Sequence, residues 1–254
     1  MEMQDRVVII SGGASGVGKA IAERFVAEGA RVAILGLDDA QGREVQEQLR
    51  DAARRHGAAD CLYLHTDVGD AAQVRRAIDA VRERWHQIHV LVNNAAIMKA
   101  ATVLDMDEAD WDKTMAINLK GPFLLAKYAI PAMPPQGAII NISSVHEVAT
   151  DAHSAAYTAS KGGLEAFTRA LALECYPRKL RVNAMRLGAV DTGMLWQNPA
   201  VQSGEEKVDP DEVATPEQIA EVALFLASRR ARFVSGTVLT VDGGRLPILA
   251  SHAD

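Results

Sequence analysis

The chain is poor in cysteine: Cys61 and Cys175 are its two in 254 residues. They build no disulfide framework and fit a reducing compartment. Basic charge is also in short supply. Lys and Arg total 27 against 33 Asp and Glu, a formal net charge of -6. That balance argues against a general nucleic-acid binder, because phosphate recognition wants a basic face. The one basic cluster, RRAR at 229–232, reads as a solvated helix end. No stretch approaches the roughly 18 apolar residues of a membrane span. The start MEMQDR carries acids early and no apolar h-region, so it is not read as a signal peptide. A cytoplasmic protein without nucleic-acid or membrane partners is expected. His86 and His89 flank a strand start but lack further ligands, so no metal is expected.

What is present is the composition of a globular domain, 48% hydrophobic and 24% charged. Its length suits one large domain, and no repeat or linker divides it. Short apolar runs read as strands at 6–11, 31–36, 61–66, 89–94, 137–144, 180–187 and 237–242. Amphipathic stretches separate them: one through Gly29, one to His56, then Asp70–Trp85, Asp107–Ala132, a helix holding Tyr157, and Pro216–Ser228. The strands are apolar throughout rather than alternating, as in a sheet buried on both faces. Strict β–α alternation predicts an α/β fold, a doubly wound parallel sheet of seven strands flanked by helices on both faces.

Two patterns carry chemistry. After the first strand, SGGASGVG (11–18) sets Gly12, Gly16 and Gly18 around Ser15 and Val17. Glycines allow the tight turn and let backbone amides approach a pyrophosphate, and the following helix N-terminus favours the anion. No Gly-Lys-Ser/Thr closes the turn, so it is not a P-loop. In SAAYTASKGGLEAFTRALALE (154–174), Leu164, Phe167 and Leu171 recur at helical spacing, with Glu165, Arg169 and Glu174 between them. Tyr157 and Lys161 are four apart and so share a face otherwise lined by Ala, Ser and Gly. A phenol and an ammonium stacked on a bare face suit proton transfer beside a bound ligand.

With NNAA (93–96), ISS (142–144) and YTASK (157–161), these stretches resemble the short-chain dehydrogenase/reductase family, in its compact single-domain branch. The resemblance covers nearly the whole chain, as far as VDGG at 241–244. It implies a Rossmann fold and oxidoreduction of an alcohol and a carbonyl with a nicotinamide dinucleotide. Tyr157 is then the acid/base, and Lys161 lowers its pKa and holds the nicotinamide ribose. Ser144 hydrogen-bonds the substrate oxygen, and Asn118 supports a water-linked proton path. Asn94, Ala95 and Ala96 line the cofactor. Asp67 and Val68 contact adenine, and Val190 and Thr192 contact the nicotinamide amide. A homo-oligomer, dimer or tetramer, is implied through the helix carrying Tyr157. The chain departs from the family pattern at Ser11 for Thr, Ala96 for Gly, Leu187 for Pro and Gly36 for Asp.

The chemistry is consistent with these roles. A tyrosine pKa lies near 10, and a cation within about 4–6 Å can lower it by 1–3 units. The second strand ends GLDD; an acidic residue there would hydrogen-bond the adenine ribose. NADP-preferring relatives commonly carry Arg where this chain has Leu37. NAD is therefore expected, with Asp38 on the ribose, although Gly36 occupies that place in many NADP users. The SSVHE segment resembles that of bacterial glucose and other aldose dehydrogenases, which points to His146 and Glu147 as substrate contacts. Residues 192–215 are expected to form a substrate lid in which Met194, Leu195 and Trp196 close over an apolar part of the substrate. Acidic residues there (Glu205, Glu206, Asp209, Asp211 and Glu212) disfavour an anionic substrate. A neutral sugar or polyol ranks first and a small ketone or secondary alcohol second. A 3-oxoacyl thioester reductase is the alternative within enzymes, and a dinucleotide sensor the alternative outside them.

Overall fold

The computed structural model describes residues 1–55, 60–204 and 208–246. Among them seven strands form one sheet: β1 (Val7–Ser11), β2 (Arg31–Gly36), β3 (Cys61–His65), β4 (Val90–Asn93), β5 (Ala138–Ser144), β6 (Arg181–Leu187) and β7 (Val238–Val241). Every pairing is parallel, and the order is β3-β2-β1-β4-β5-β6-β7. The helices are α1 (Gly16–Ala27), α2 (Asp39–Arg55), α3 (Ala71–Trp85), α4 (Glu108–Met115), α5 (Gly121–Ala129), α6 (Ala155–Cys175), α7 (Gly193–Trp196), α8 (Pro199–Ser203) and α9 (Pro216–Ala227). His56, the expected end of α2, lies outside the described residues.

The apolar strands have partners on both faces. Val8 and Ile10 of β1 pack with Phe25, Leu49 and Leu224 of α1, α2 and α9. Their neighbours Val7 and Ile9 point the other way, toward Ile78, Leu125 and Leu171 of α3, α5 and α6. Period-two geometry sends alternate side chains to opposite faces, so a strand covered twice has no polar positions to spare. The ATPEQ start of α9 (214–218) is set locally: Thr215 and Gln218 form a capping box around Pro216 at the first helical position.

One expectation about the helices needs correcting. The stretch 107–132 is not one regular helix. A π-helical turn, Ala116–Lys120, separates α4 from α5, and a 3-10 turn, Ile130–Ala132, ends it. Pro122 follows the π turn and cannot donate to the carbonyl four residues back, that of Asn118. The helical ladder is thus loosened at the one asparagine singled out in that stretch. In α6, Glu165, which stands between the apolar positions Leu164 and Phe167, is itself fully buried.

The sheet order fixes where a ligand can sit. The chain runs outward from β1 to β3, then returns to start β4 on the other side of β1. The crevice beyond the carboxyl ends of β1 and β4 is the binding place in open sheets of this kind.

Candidate active site

The carboxyl edge of the sheet opens into a cleft of about 1140 Å³. One end of it is built by the glycine turn. Gly12 and Gly16 adopt φ of 65° and 48°, values a side chain rarely tolerates. Both line the cleft with Ser15 and Val17. The amide of Gly12 donates to the Leu35 carbonyl at 2.8 Å. The Ser15 side chain makes no capping bond at the start of α1, so the first helical N–H groups face the cleft without a side-chain acceptor, as an anion-binding turn requires. Gly18 does not line the cleft. A Cβ there would stand 2.1 Å from the Gly12 oxygen and 2.5 Å from Asn94 Nδ2; it serves the turn by letting α1 pass close behind it.

Ser11 and Asn94 lock this turn to the loop after β4. The Ser11 hydroxyl accepts from the amides of Asn94 at 3.0 Å and Ala95 at 3.1 Å. Asn94 Nδ2 donates to the carbonyls of Ser11 and Gly12, both at 3.1 Å. The hydroxyl kept at Ser11 therefore does the work that a threonine would do. Asn94, Ala95, Ala96, Asp67, Val68, Val190 and Thr192 all line the cleft.

At the end of β2 the lining residues are Gly36, Leu37 and Gln41. Asp38, the expected ribose contact, is absent from the wall. Its carboxylate accepts the Gln41 amide at 3.0 Å, capping the start of α2. A short acid at a helix N-terminus has backbone donors in immediate reach, and here they hold it.

The chemical end gathers three side chains. Ser144 ends β5, and Tyr157 and Lys161 rise one turn apart on α6, all on the cleft wall. The Ser144 hydroxyl acts on the Tyr157 phenol and favours its ionised form. Lys161 Nζ donates to the Ile142 carbonyl at 2.7 Å and stands 5.4 Å from the centroid of the Tyr157 ring. Burial pushes the phenol up to about 12, opposed only by the Ser144 hydroxyl. Burial pushes the ammonium down to about 8. In the protein alone the phenol is raised and the ammonium lowered by the same cause, because the low-dielectric pocket penalises both charged forms.

Asn118 sits in the π turn. Its Oδ1 accepts the Ile97 amide at 2.9 Å, and its Nδ2 donates to the Ile97 carbonyl at 2.9 Å and Ser160 Oγ at 3.1 Å. It thereby ties the loop after β4 to α6. Single π turns recur at functional sites.

On the substrate side, His146 lines the cleft and meets the Tyr157 ring edge-on, with centroids 5.8 Å apart and planes at 86°. Glu147 does not line it. Its carboxylate turns away and accepts from Arg186 Nη2 at 2.9 Å. Trp196 is also outside the wall: it is 43% exposed, and its indole N–H donates to Asp191 at 2.7 Å. Met194 and Leu195 do line the cleft, with Gln197, Asn198, Thr150 and Asp151. Glu205 and Glu206 of the expected lid lie outside the described residues. His89, set aside as a metal ligand, accepts the Val7 amide on Nδ1 at 3.0 Å.

A parallel sheet with a glycine turn at its switch point and a Ser–Tyr–Lys group at its carboxyl edge defines a nicotinamide-dinucleotide oxidoreductase. The chain belongs to the short-chain dehydrogenase/reductase family. The family model described as enoyl-(acyl carrier protein) reductase matches residues 12–245. The chain is 35% identical over 248 residues to the 3-oxoacyl-(acyl-carrier-protein) reductase FabG of Thermotoga maritima, covering 96% of this chain and 99% of that one. It is 35% identical over 248 residues to the D-threitol dehydrogenase of Mycolicibacterium smegmatis, covering 95% and 93%. A short-chain dehydrogenase from Burkholderia cenocepacia, solved in complex with NADP, superposes with a TM-score of 0.88 at 27% identity, covering 96% and 98%. Relatives in this family act on alcohols and carbonyls, and this chain is such a dehydrogenase/reductase. No helix among the described residues is long and apolar enough to cross a membrane.

Proposed function

We propose that this protein is an NAD-linked dehydrogenase that oxidises a secondary alcohol, with a neutral polyol or sugar as its substrate class. The observation that carries the reading is the convergence of Ser144, Tyr157 and Lys161 on the wall of one cleft, with the lysine 5.4 Å from the centroid of the phenol ring. The residues at the glycine turn suit a dinucleotide: positive-φ glycines, an uncapped helix start and the small residues Ala95 and Ala96. Bound nicotinamide supplies the hydride acceptor. The chain supplies the rest. Ser144 donates to the reacting oxygen, and Tyr157 takes its proton in oxidation and returns it in reduction. Lys161 orients the ribose and, through its charge, favours the phenolate. Asn118 holds the Ile97 loop against α6, beside the route by which that proton leaves.

Several polar groups support a substrate with more than one hydroxyl. His146, Thr150, Asp151, Gln197 and Asn198 line the substrate end. The likeness to D-threitol dehydrogenase is in line with this. The likeness to a 3-oxoacyl-(acyl-carrier-protein) reductase favours a second reading, reduction of a ketone. The groove lined by Met115, Leu119, Phe123 and Phe167, with Phe123 and Phe167 in edge contact at 6.4 Å, suits assembly as a homo-oligomer.

The test is a screen of polyols, aldoses and secondary alcohols for NADH formation, repeated with NADP and with ketones in reverse. Wild type should oxidise at least one polyol. Tyr157→Phe should still bind NADH while losing about 10²–10⁴-fold in turnover. A wild type that binds NADH but turns over no alcohol or ketone would leave a sensor as the better reading.

A further inference from the structure

Beneath the cleft lies a group of charges that the proposed reaction does not use. Glu165 is two turns beyond Tyr157 and one beyond Lys161 on α6, and is 0% exposed. Its Oε1 accepts from Arg186 Nε at 3.0 Å and from the Ser143 hydroxyl at 2.9 Å, and its Oε2 accepts from Arg186 Nη2 at 2.6 Å. Ser143 and Arg186 are register partners on β5 and β6. The same Arg186 Nη2 also donates to Glu147 Oε2 at 2.9 Å. Asp242, the other carboxylate acting on Arg186, is held by the amides of Gly244 and Leu246, each at 2.9 Å.

A buried carboxylate with a two-pronged guanidinium partner is a rigid joint. It fastens α6, which carries Tyr157 and Lys161, to the two strands beside Ser144. Glu147 adds the fourth element, since it closes the 3-10 turn Val145–Glu147 that begins immediately after Ser144. Within that turn, the His146 amide donates to Ser144 Oγ at 3.3 Å, and the Val148 amide donates to the Val145 carbonyl. Both bonds are local. The Glu147–Arg186 contact is the long-range one. It ties to β6 the turn whose His146 ring faces Tyr157 edge-on.

We propose that Glu147 is a positioning residue: through Arg186 and Glu165 it latches the His146 turn to the helix bearing Tyr157, and so sets the alignment of Ser144, His146 and the phenol toward substrate. The latch rests on the reaction proposed above. It makes Glu147 part of the support of the site, while its neighbour His146 lines the cleft. Because Glu147 is the outer carboxylate, removing it leaves Arg186 neutralised by Glu165 and the joint intact.

Glu147→Ala tests this. The expected result is a fall of about tenfold or more in kcat/KM for the alcohol, the scale on which small misplacements act, with the Kd for NADH unchanged. Glu147→Gln, which can still accept from Arg186, should recover most of the loss. A purely structural role would weaken NADH binding and turnover together and would not be rescued by Gln. Amide hydrogen exchange of residues 145–149 gives a readout independent of any substrate: it should quicken in Glu147→Ala. Unchanged kcat/KM, a parallel loss of NADH affinity, or unchanged exchange each overturns the latch. A wild type inert toward every alcohol and ketone overturns the functional reading instead, and the exchange measurement still decides the latch.

Discussion

The ammonium of Lys161 stands 5.4 Å from the centroid of the Tyr157 ring, yet its hydrogen bond goes to the Ile142 carbonyl at 2.7 Å. The lysine is thus held by the backbone of β5 and its charge is buried at a cost, which burial expresses as a pKa of about 8. This cost is visible in stability. The folded pKa lies below the ordinary lysine value of 10.5, so between roughly pH 8 and 10.5 the unfolded chain binds more protons than the native one. Stability from this group then rises with pH across that window. Lys161→Met removes the titration. Between pH 7.5 and 10.5 wild type should gain stability relative to the variant by on the order of 3 kcal/mol. Paired urea unfolding curves at the two pH values measure it, and parallel stability profiles would show that the ammonium is not desolvated.

The phenol titrates in the other direction. With nothing but Ser144 opposing its burial, Tyr157 stays protonated up to about 12 in the protein alone. Oxidation needs the phenolate and reduction needs the phenol. At saturating coenzyme, kcat/KM for alcohol oxidation should therefore rise with pH, while that for ketone reduction falls. The midpoint with oxidised coenzyme should lie well below 12, because a positive ring and a ribose-bound Lys161 both favour the phenolate. Ser144→Ala removes one of the groups that counter burial, and should shift that midpoint upward as well as lowering turnover about 10²-fold. An unshifted midpoint in Ser144→Ala would detach the titration from Tyr157.

Much of this was legible in the residues, and the exceptions share a cause. Apolar runs such as VVIIS (7–11) announce strands because a doubly covered sheet leaves them no polar face. The four-residue spacing of Tyr157 and Lys161 announces one helix face. What local pattern cannot read is the direction in which a long-range partner pulls a side chain. Periodicity does not place Glu165, which Arg186 across the sheet holds buried. A cation inside the apolar run LRVNAMRL was the available signal, since a buried guanidinium demands a carboxylate. The same Arg186 turns Glu147 away from the cleft. Asp38 is claimed by the Gln41 amide and Trp196 by Asp191. The pKa of Tyr157 escaped for a related reason: charges can be counted along a sequence, but desolvation requires the packed pocket.

Gly18 offers a test of the turn itself. Its missing side chain makes room for the Gly12 carbonyl and the Asn94 amide, which a Cβ would meet at 2.1 and 2.5 Å. Neither is the far end of a flexible chain: one is backbone, and the other is fixed by two hydrogen bonds. Gly18→Ala should cost about 1–3 kcal/mol or more in unfolding free energy and weaken NADH binding, measured by thermal melting and fluorescence titration. Gly36→Ala is the control, because its Cβ would have only Tyr63 at 3.7 Å nearby; it should fold like wild type.

Coenzyme choice turns on the end of β2. Gly36, Leu37 and Gln41 line that end of the cleft, so no cation from this turn faces the position of a 2′-phosphate. The nearby carboxylates, Asp38 at the start of α2 and Asp39 held by Tyr63 and His65 at 3.0 and 2.8 Å, set a negative field there. A dianionic phosphate brought into that field without a partner is disfavoured, so NAD should exceed NADP in kcat/KM. Leu37→Arg supplies the missing cation, and Asp38→Ser removes one repelling charge while keeping an oxygen for the Gln41 amide. The double variant should move the NADP-to-NAD ratio by about 10²-fold or more, given that a charge-assisted phosphate contact contributes roughly 1.5–3 kcal/mol. Steady-state kinetics with both coenzymes on one alcohol decide it. A wild type already preferring NADP would mean that the phosphate is met by groups other than these.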